Sequence, residues 1–231
     1  YTYDGNGNEL TMTDGTGTTK RTYDEENRVL TKTVPHMGIL TYQYDITEAE
    51  GCHAEISTDP KGNETTKVYD KAGRLIKVIS NAEETIFTYY GNGSRKSVEY
   101  PEGAKEEYTY YKDNLVKTLV NKKADGTIID SYSYKYDAAH NQIEKQDQKG
   151  ITNYDYDSLN RLEKVTEPDG KITEYIFDKA GNRIQETITQ GSETIATTYE
   201  YNEQNRLINT ITRNGAVTET AKYEYDPNGN T

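Results

Sequence analysis

The chain has 231 residues, a formal net charge of −12 and a sequence pI near 4.8. Ile, Val, Leu and Phe come to only 37 residues, too few for an ordinary mixed core, whereas 22 Tyr and 32 Thr supply side chains that favour strands, so the composition describes a β-protein with a thin, aromatic core. The acidic balance argues against nucleic acid as a partner, the lone Cys52 against a disulfide framework or a Cys-based zinc site, and the lack of any run of roughly 18 apolar residues against a membrane span.

From the N-terminus onward, an aromatic–aspartate pair recurs. It stands at Tyr3-Asp4, Tyr23-Asp24, Tyr44-Asp45, Tyr69-Asp70, Tyr136-Asp137, Tyr156-Asp157, Phe177-Asp178 and Tyr225-Asp226. Tyr201-Asn202 keeps the register, and Gly91 and Tyr111 stand where the pair has decayed. Successive positions lie 20 to 26 residues apart along the whole chain, so residues 1–231 read as a single array of about ten repeats. The array starts and stops inside a repeat, which points to a fragment of a larger protein.

Within a unit the aromatics alternate, as in Tyr154/Tyr156 and Tyr199/Tyr201; a spacing of two puts both rings on one face of a strand and Asp155 on the other. The third residue after the pair's aspartate is Gly7, Asn27, Gly73, His140, Asn160, Gly181, Asn205 or Gly229, types that tolerate positive φ. This predicts a hairpin turn closed by a left-handed residue, with the carboxylate accepting backbone N–H groups. An apolar residue then restarts a strand: Leu10, Val29, Leu75, Ile143, Leu162, Ile184 or Leu207. About ten residues on comes a second turn carrying Gly, often with Pro just before it, as in Pro60-Lys61-Gly62 and Pro168-Asp169-Gly170. Each repeat is thus two strands and two turns, giving roughly twenty antiparallel strands in a continuous, curved sheet. The residues after Asp45 lack the usual turn, and the longer steps predict longer hairpins or bulges near 46–58 and 121–133, insertions of the kind that project from one edge of a repeat array.

Chemical alternatives fare poorly. Asp155 and Asp157 could be a glycosidase pair, but their equivalents recur down the chain, which reads as construction. His36 and His140 fall in turns, and Cys52 and His53, adjacent in a strand, face opposite sides. The loop Asp4–Glu9 begins like a calcium-binding loop but has Glu9 where glycine is obligatory. No catalytic, cofactor-binding or metal-binding residue is therefore assigned, and no cofactor is expected.

The stretches 69–78 (YDKAGRLIKV), 156–184 (YDSLNRLEKVTEPDGKITEYIFDKAGNRI) and 199–211 (YEYNEQNRLINTI) resemble the YD repeat of Rhs proteins, teneurins and bacterial wall-associated proteins. The resemblance implies an arc or spiral of β-hairpins belonging to an extracellular or surface shell, which encloses or displays a C-terminal toxin or other cargo. It also implies that the aromatic–aspartate residues are structural and the chain no enzyme. In such proteins a self-cleaving core carries a DPxG-type motif. Here Asp226, Pro227 and Gly229 sit in an ordinary YD slot and are read as a repeat with proline in its turn. The competing reading is an adhesin or a cell-wall glycan-binding module, in which the row of rings would stack on sugars.

Overall fold

The structure, a computed structural model, describes residues 1–47, 51–226 and 229–230. Among these there are 21 strands and no helix. Contacts group the chain into two units, Tyr1–Tyr108 with Val120–Ile129, and Thr109–Leu119 with Asp130–Thr231. In the first, strands from Thr2–Tyr3 to Lys105–Tyr110 each pair antiparallel with the next in sequence. In the second, the same succession runs from Ile128–Tyr136 to Val217–Lys222. The fold is the expected one, all-β and built of tandem antiparallel hairpins.

Strands touch substantially only their sequence neighbours, so no second layer covers either face within a unit. Among the described residues, only Ala54, Val68 and Val98 are buried among apolar ones, with Thr19 and Thr173 among polar ones, and no large side chain is fully buried. Stability in such a sheet comes from strand on strand, each unit holding the next.

The alternation expected of the tyrosines is present. Tyr154 and Tyr156 are half-buried and Asp155 between them is exposed. Across the sheet the Tyr154 row continues through Val165, Thr173, Ile188 and Ile195. The opposite row runs Asp155, Lys164, Glu174, Thr187, with Lys164 and Glu174 forming an ion pair at 3.9 Å. The rings therefore lie on the better-covered face. Hydroxyl pairs decorate the other face: Thr22 with Thr31 at 2.7 Å, Thr88 with Ser97 at 2.6 Å.

One expectation needs correction. The strand after each turn starts at a fixed count and not at the apolar residue: it begins with Glu9, Gln142 and Arg183 where Leu10, Ile143 and Ile184 were expected, because turn length is set by backbone geometry. The longer step near 121–133 is taken up by longer strands, Val116–Lys122 and Ile128–Tyr136, joined by an ordinary turn. Asp45, as the residues after it indicate, opens no usual turn. It has φ 56 within the strand Gly38–Thr47, where the pairing to His53–Thr58 slips between Gln43 and Ile46, and its carboxylate meets Arg28 Nη1 at 2.5 Å. The rest of the expected insertion after Thr47 includes residues 48–50, outside the described residues.

Candidate functional site

The residues that define the repeat converge on a clasp at its turn. The backbone N–H of Asp157 donates to the Arg161 carbonyl at 2.9 Å and that of Asn160 to the Asp157 carbonyl at 3.0 Å, closing a five-residue turn. Asn160 takes the left-handed conformation with φ 60. Asp157 Oδ1 accepts the N–H groups of Leu159 at 2.8 Å and Arg161 at 3.0 Å, and Oδ2 accepts Arg161 Nε at 2.6 Å. The same bonds recur at Asp4, Asp24, Asp70, Asp137 and, through its last residue, Asp178 and Asp226. All eight residues expected at positive φ have it: Gly7, Asn27, Gly73, His140, Asn160, Gly181, Asn205 and Gly229. Asn202, in the aspartate's place, accepts Gln204 N at 3.0 Å and Arg206 N at 2.9 Å. The proline expected in the Asp226 turn lies outside the described residues.

Among the described residues, six repeats are fastened to a neighbour by the pair's tyrosine. Register shifts where Tyr156 faces Leu162, Tyr23 faces Val29, Tyr69 faces Leu75 and Tyr201 faces Leu207, so a bulge marks every such pair. The carbonyl at that shifted position, five residues after the aspartate slot, is taken by the next repeat's phenol. Tyr23 donates to Glu9, Tyr44 to Val29, Tyr89 to Leu75, Tyr156 to Gln142, Tyr201 to Arg183 and Tyr225 to Leu207, at 2.6–3.0 Å. A polar tip thus satisfies a backbone acceptor that the bulge removes from the ladder. Tyr69 differs, donating to the Glu55 carboxylate at 3.1 Å, because its preceding repeat is the irregular one at Asp45. Tyr3 stands in the strand Thr2–Tyr3 and is 59% exposed.

The turn's last residue makes a second lateral contact, in two chemistries. Where it is arginine, the guanidinium lies over the next repeat's ring: Arg28 over Tyr44, Arg74 over Tyr89, Arg161 over Phe177 and Arg206 over Tyr225, 4.6–5.3 Å from the centroid. Where it is asparagine, its Nδ2 reaches the Oδ1 of the next repeat's left-handed Asn: Asn8 to Asn27 at 2.7 Å, Asn141 to Asn160 at 2.8 Å, Asn182 to Asn205 at 2.9 Å. Neither contact is visible from composition, although the Arg/Asn choice at a fixed slot carries the signal.

Gly91 was placed in the aspartate register, but the turn there opens on Tyr90, whose N–H donates to the Ser94 carbonyl at 2.9 Å. Counting three back from the left-handed Gly93 would have found it. The same five-residue turn also serves at the opposite ends of the strands, at 59–63, 100–104, 123–127 and 167–171. The two turns expected to differ are often one and the same.

The electrostatics follow from these bonds. The backbone N–H of Arg161, with its guanidinium and against the opposing effect of burial, holds the Asp157 carboxyl below its ordinary 3.8. The Asn8 side chain, then its backbone N–H, does so for Asp4, and the Arg74 backbone N–H, then its side chain, for Asp70. A depressed folded-state value means the contribution is fully present above the unfolded pKa and lost as pH falls through the folded one. The urea midpoint should accordingly be flat from pH 7 to about 4.5 and fall below about 4. Asp157→Asn, which can keep the backbone bonds as Asn202 does, should make that fall shallower; an unchanged acid limb would contradict the assignment. In contrast, burial first and then the Glu106 carboxylate, 2.5 Å from its hydroxyl, push Tyr108 up to about 12.

Histidines and cysteine show no shared chemistry. His36 and His140 occupy left-handed turn positions, and His53 stacks on Tyr69 with centroids 5.1 Å apart. Among the described residues no group of three His, Cys, Asp or Glu side chains could hold a metal ion. No helix of the described residues is long and apolar enough to cross a membrane.

A sheet of tandem hairpins whose tyrosine, aspartate, left-handed residue and arginine are all used to lay one repeat on the next defines a repeat scaffold. Residues 156–193 match the RHS Repeat family, and turns elsewhere in the chain carry the same bonds. It is 30% identical over 212 residues to the tRNA3(Ser)-specific nuclease WapA of Bacillus spizizenii, covering 90% of this chain and 8% of that protein. It is also 30% identical over 178 residues to the tRNA nuclease WapA of Bacillus subtilis, covering 74% of this chain and again 8% of the relative. The chain thus spans under a tenth of these relatives. Among solved structures it resembles TcdB2-TccC3 with a TM-score of 0.61 at 16% identity, covering 92% of this chain and 16% of that one. The TcdB2-TccC3-Cdc42 complex gives a TM-score of 0.63 at 18% identity, covering 96% and 15%. These likenesses establish the fold.

Proposed function

We propose that this chain is one segment of the wall of a larger secreted or cell-surface protein, a β-shell that encloses or displays a C-terminal toxin or other cargo. The observation that carries the reading is the clasp: the residues recurring in every repeat are occupied by fastening repeats together, at Tyr23, Tyr44, Tyr156, Tyr201 and Tyr225 through their hydroxyls. Residues 1–231 form a single array in this reading, a part of a longer chain, and Tyr156 with Asp157 and their equivalents are its structural residues. The array itself carries no catalysis. Nuclease activity of the kind named for the WapA relatives would belong to cargo outside the repeats. The rings of Tyr44 and Tyr225 lie beneath guanidinium groups, which leaves them poorly placed to stack on sugars, so the scaffold is favoured over a glycan-binding module.

The test uses the complete parent protein. Limited proteolysis should leave sequence beyond the repeats protected in the intact protein and cut in one whose array carries Tyr156→Ala and Tyr201→Ala. Equal cleavage in both would overturn enclosure. Micromolar binding of the array to peptidoglycan, abolished by a tyrosine change that leaves its Tm alone, would replace the scaffold with the adhesin.

A further inference from the structure

Among the described residues, the repeat at 111–115 makes neither standard lateral contact. In the turn 111–115, Tyr111 stands in the aspartate slot and Leu115 in the slot that holds Arg or Asn in the regular repeats. Elsewhere an arginine in that slot covers the next ring, as Arg28 covers Tyr44 at 4.6 Å and Arg161 covers Phe177 at 4.7 Å. The ring that follows Leu115 is Tyr136. Among the described residues no cation lies over it, and its phenol makes no hydrogen bond to the Val116 carbonyl, the acceptor that the repeat's count would assign to it.

In place of the guanidinium there is a cavity of about 620 Å³, lined by Tyr111, Asp113, Leu115, Tyr136 and Asp137 together with Lys112 and Lys135. Two of its walls are aromatic. The Tyr111 and Tyr136 rings stand edge to face, centroids 6.2 Å apart and planes at 89°. Tyr111 is held there by its hydroxyl, which donates to the Tyr134 carbonyl at 2.9 Å. Asp113 contributes a carboxylate whose side chain is 44% exposed, 3.5 Å from His140 Nε2. Asp137 supplies a second, kept ionised by the Asn141 side chain, which outweighs burial, and by the backbone bonds of its turn. Of the two lysines, Lys135 is neutralised by Glu144 at 2.9 Å, and Lys112 lies on the exposed turn, where its ammonium can stay in water. Lys117 already sits 5.7 Å over the Tyr111 ring, which leaves Tyr136 as the open face.

We propose that this cavity receives the guanidinium of an arginine presented by a partner polypeptide, in the position that the chain's own arginines fill in four other repeats. The repeats themselves show the chemistry that fits: a planar cation over the ring, near the carboxylates of the turn. The chain's charge of −12 draws a basic segment toward it. The proposal stands apart from the shell reading, since it concerns what docks on this one repeat whatever the array encloses.

The probe is N-acetyl-arginine amide, titrated into the array and followed by backbone amide NMR. Resonances of residues 111–115 and 135–137 should shift with a dissociation constant on the order of millimolar. N-acetyl-citrulline amide, similar in shape but uncharged, should bind at least about tenfold more weakly. Leu115→Arg should supply the guanidinium in cis and abolish binding while leaving the thermal transition in place. Asp113→Asn, on an exposed rim and still able to accept the Leu115 N–H, should weaken binding roughly threefold or more. Absence of binding to the unaltered array, equal binding of citrulline, or undiminished binding in either variant would overturn the proposal.

Discussion

Tyr156→Ala should lower the stability of the array by about 2.5–3.5 kcal/mol, and Tyr156→Phe by about 1 kcal/mol. A fully buried ring of this size would cost about 3–5 kcal/mol to remove, but Tyr156 is only half-buried, so roughly half of that applies. To it is added the hydroxyl's bond to the Gln142 carbonyl at 3.0 Å, and the Phe variant isolates this part. The chain contains the reverse experiment. Phe177 occupies the pair position one repeat later, and by the same count of five its acceptor would be the Leu162 carbonyl. Phe177→Tyr should therefore add stability of up to about 1 kcal/mol, with the Arg161 guanidinium still 4.7 Å from the ring centroid. Urea denaturation of the three variants checks both directions. A loss below about 0.5 kcal/mol for Tyr156→Phe, with no gain for Phe177→Tyr, would show that the phenol clasp is geometry without energy.

Much of this arrangement was legible in the sequence because it is repeated. Positive φ at eight slots, the ring-side and acid-side rows, and the two-strand unit all follow from residue types recurring at fixed counts, where a single copy would have said little. What escaped reading depends on contacts between repeats. That the Tyr156 hydroxyl ends on Gln142, or that Arg161 ends over Phe177, requires knowing which carbonyl a bulge has freed and which ring lies beside which turn. The irregularity at Asp45 was legible from the same repetition: its pair is intact in sequence, but the residue three on is Glu48, a poor occupant of a left-handed slot, and the strand runs on to Thr47. The Leu115 cavity is also a departure that counting exposes, since it lies where the turn's fourth-position Arg/Asn rule fails.

Gly150→Ala should be the other costly change, by about 2–4 kcal/mol, and its cause lies at the opposite ends of the strands from the clasp. Gly150 has φ +128, outside the left-handed well that Asn or His can occupy, and a Cβ there would stand 2.8 Å from the Cβ of Pro168. The same meeting occurs between Gly38 and Pro60 at 2.7 Å, so the proline that precedes so many second turns packs on the preceding repeat's glycine. Two costs are present, backbone strain and a clash, and they can be separated. Adding Pro168→Gly, which takes away the Cβ itself, to Gly150→Ala should relieve the clash, roughly 1 kcal/mol or more, and leave the strain, a coupling that independent sites would not show. Gly73 makes the contrast: its φ of +74 lies near that of Asn160, and nothing stands within 4 Å of its added Cβ. Gly73→Asn should change stability by less than about 0.5 kcal/mol, because asparagine already fills that slot in neighbouring repeats. Equal losses at Gly73 and Gly150 would mean that chain entropy alone governs both glycines; a loss confined to Gly150 would establish packing of proline on glycine as the second fastening of the array.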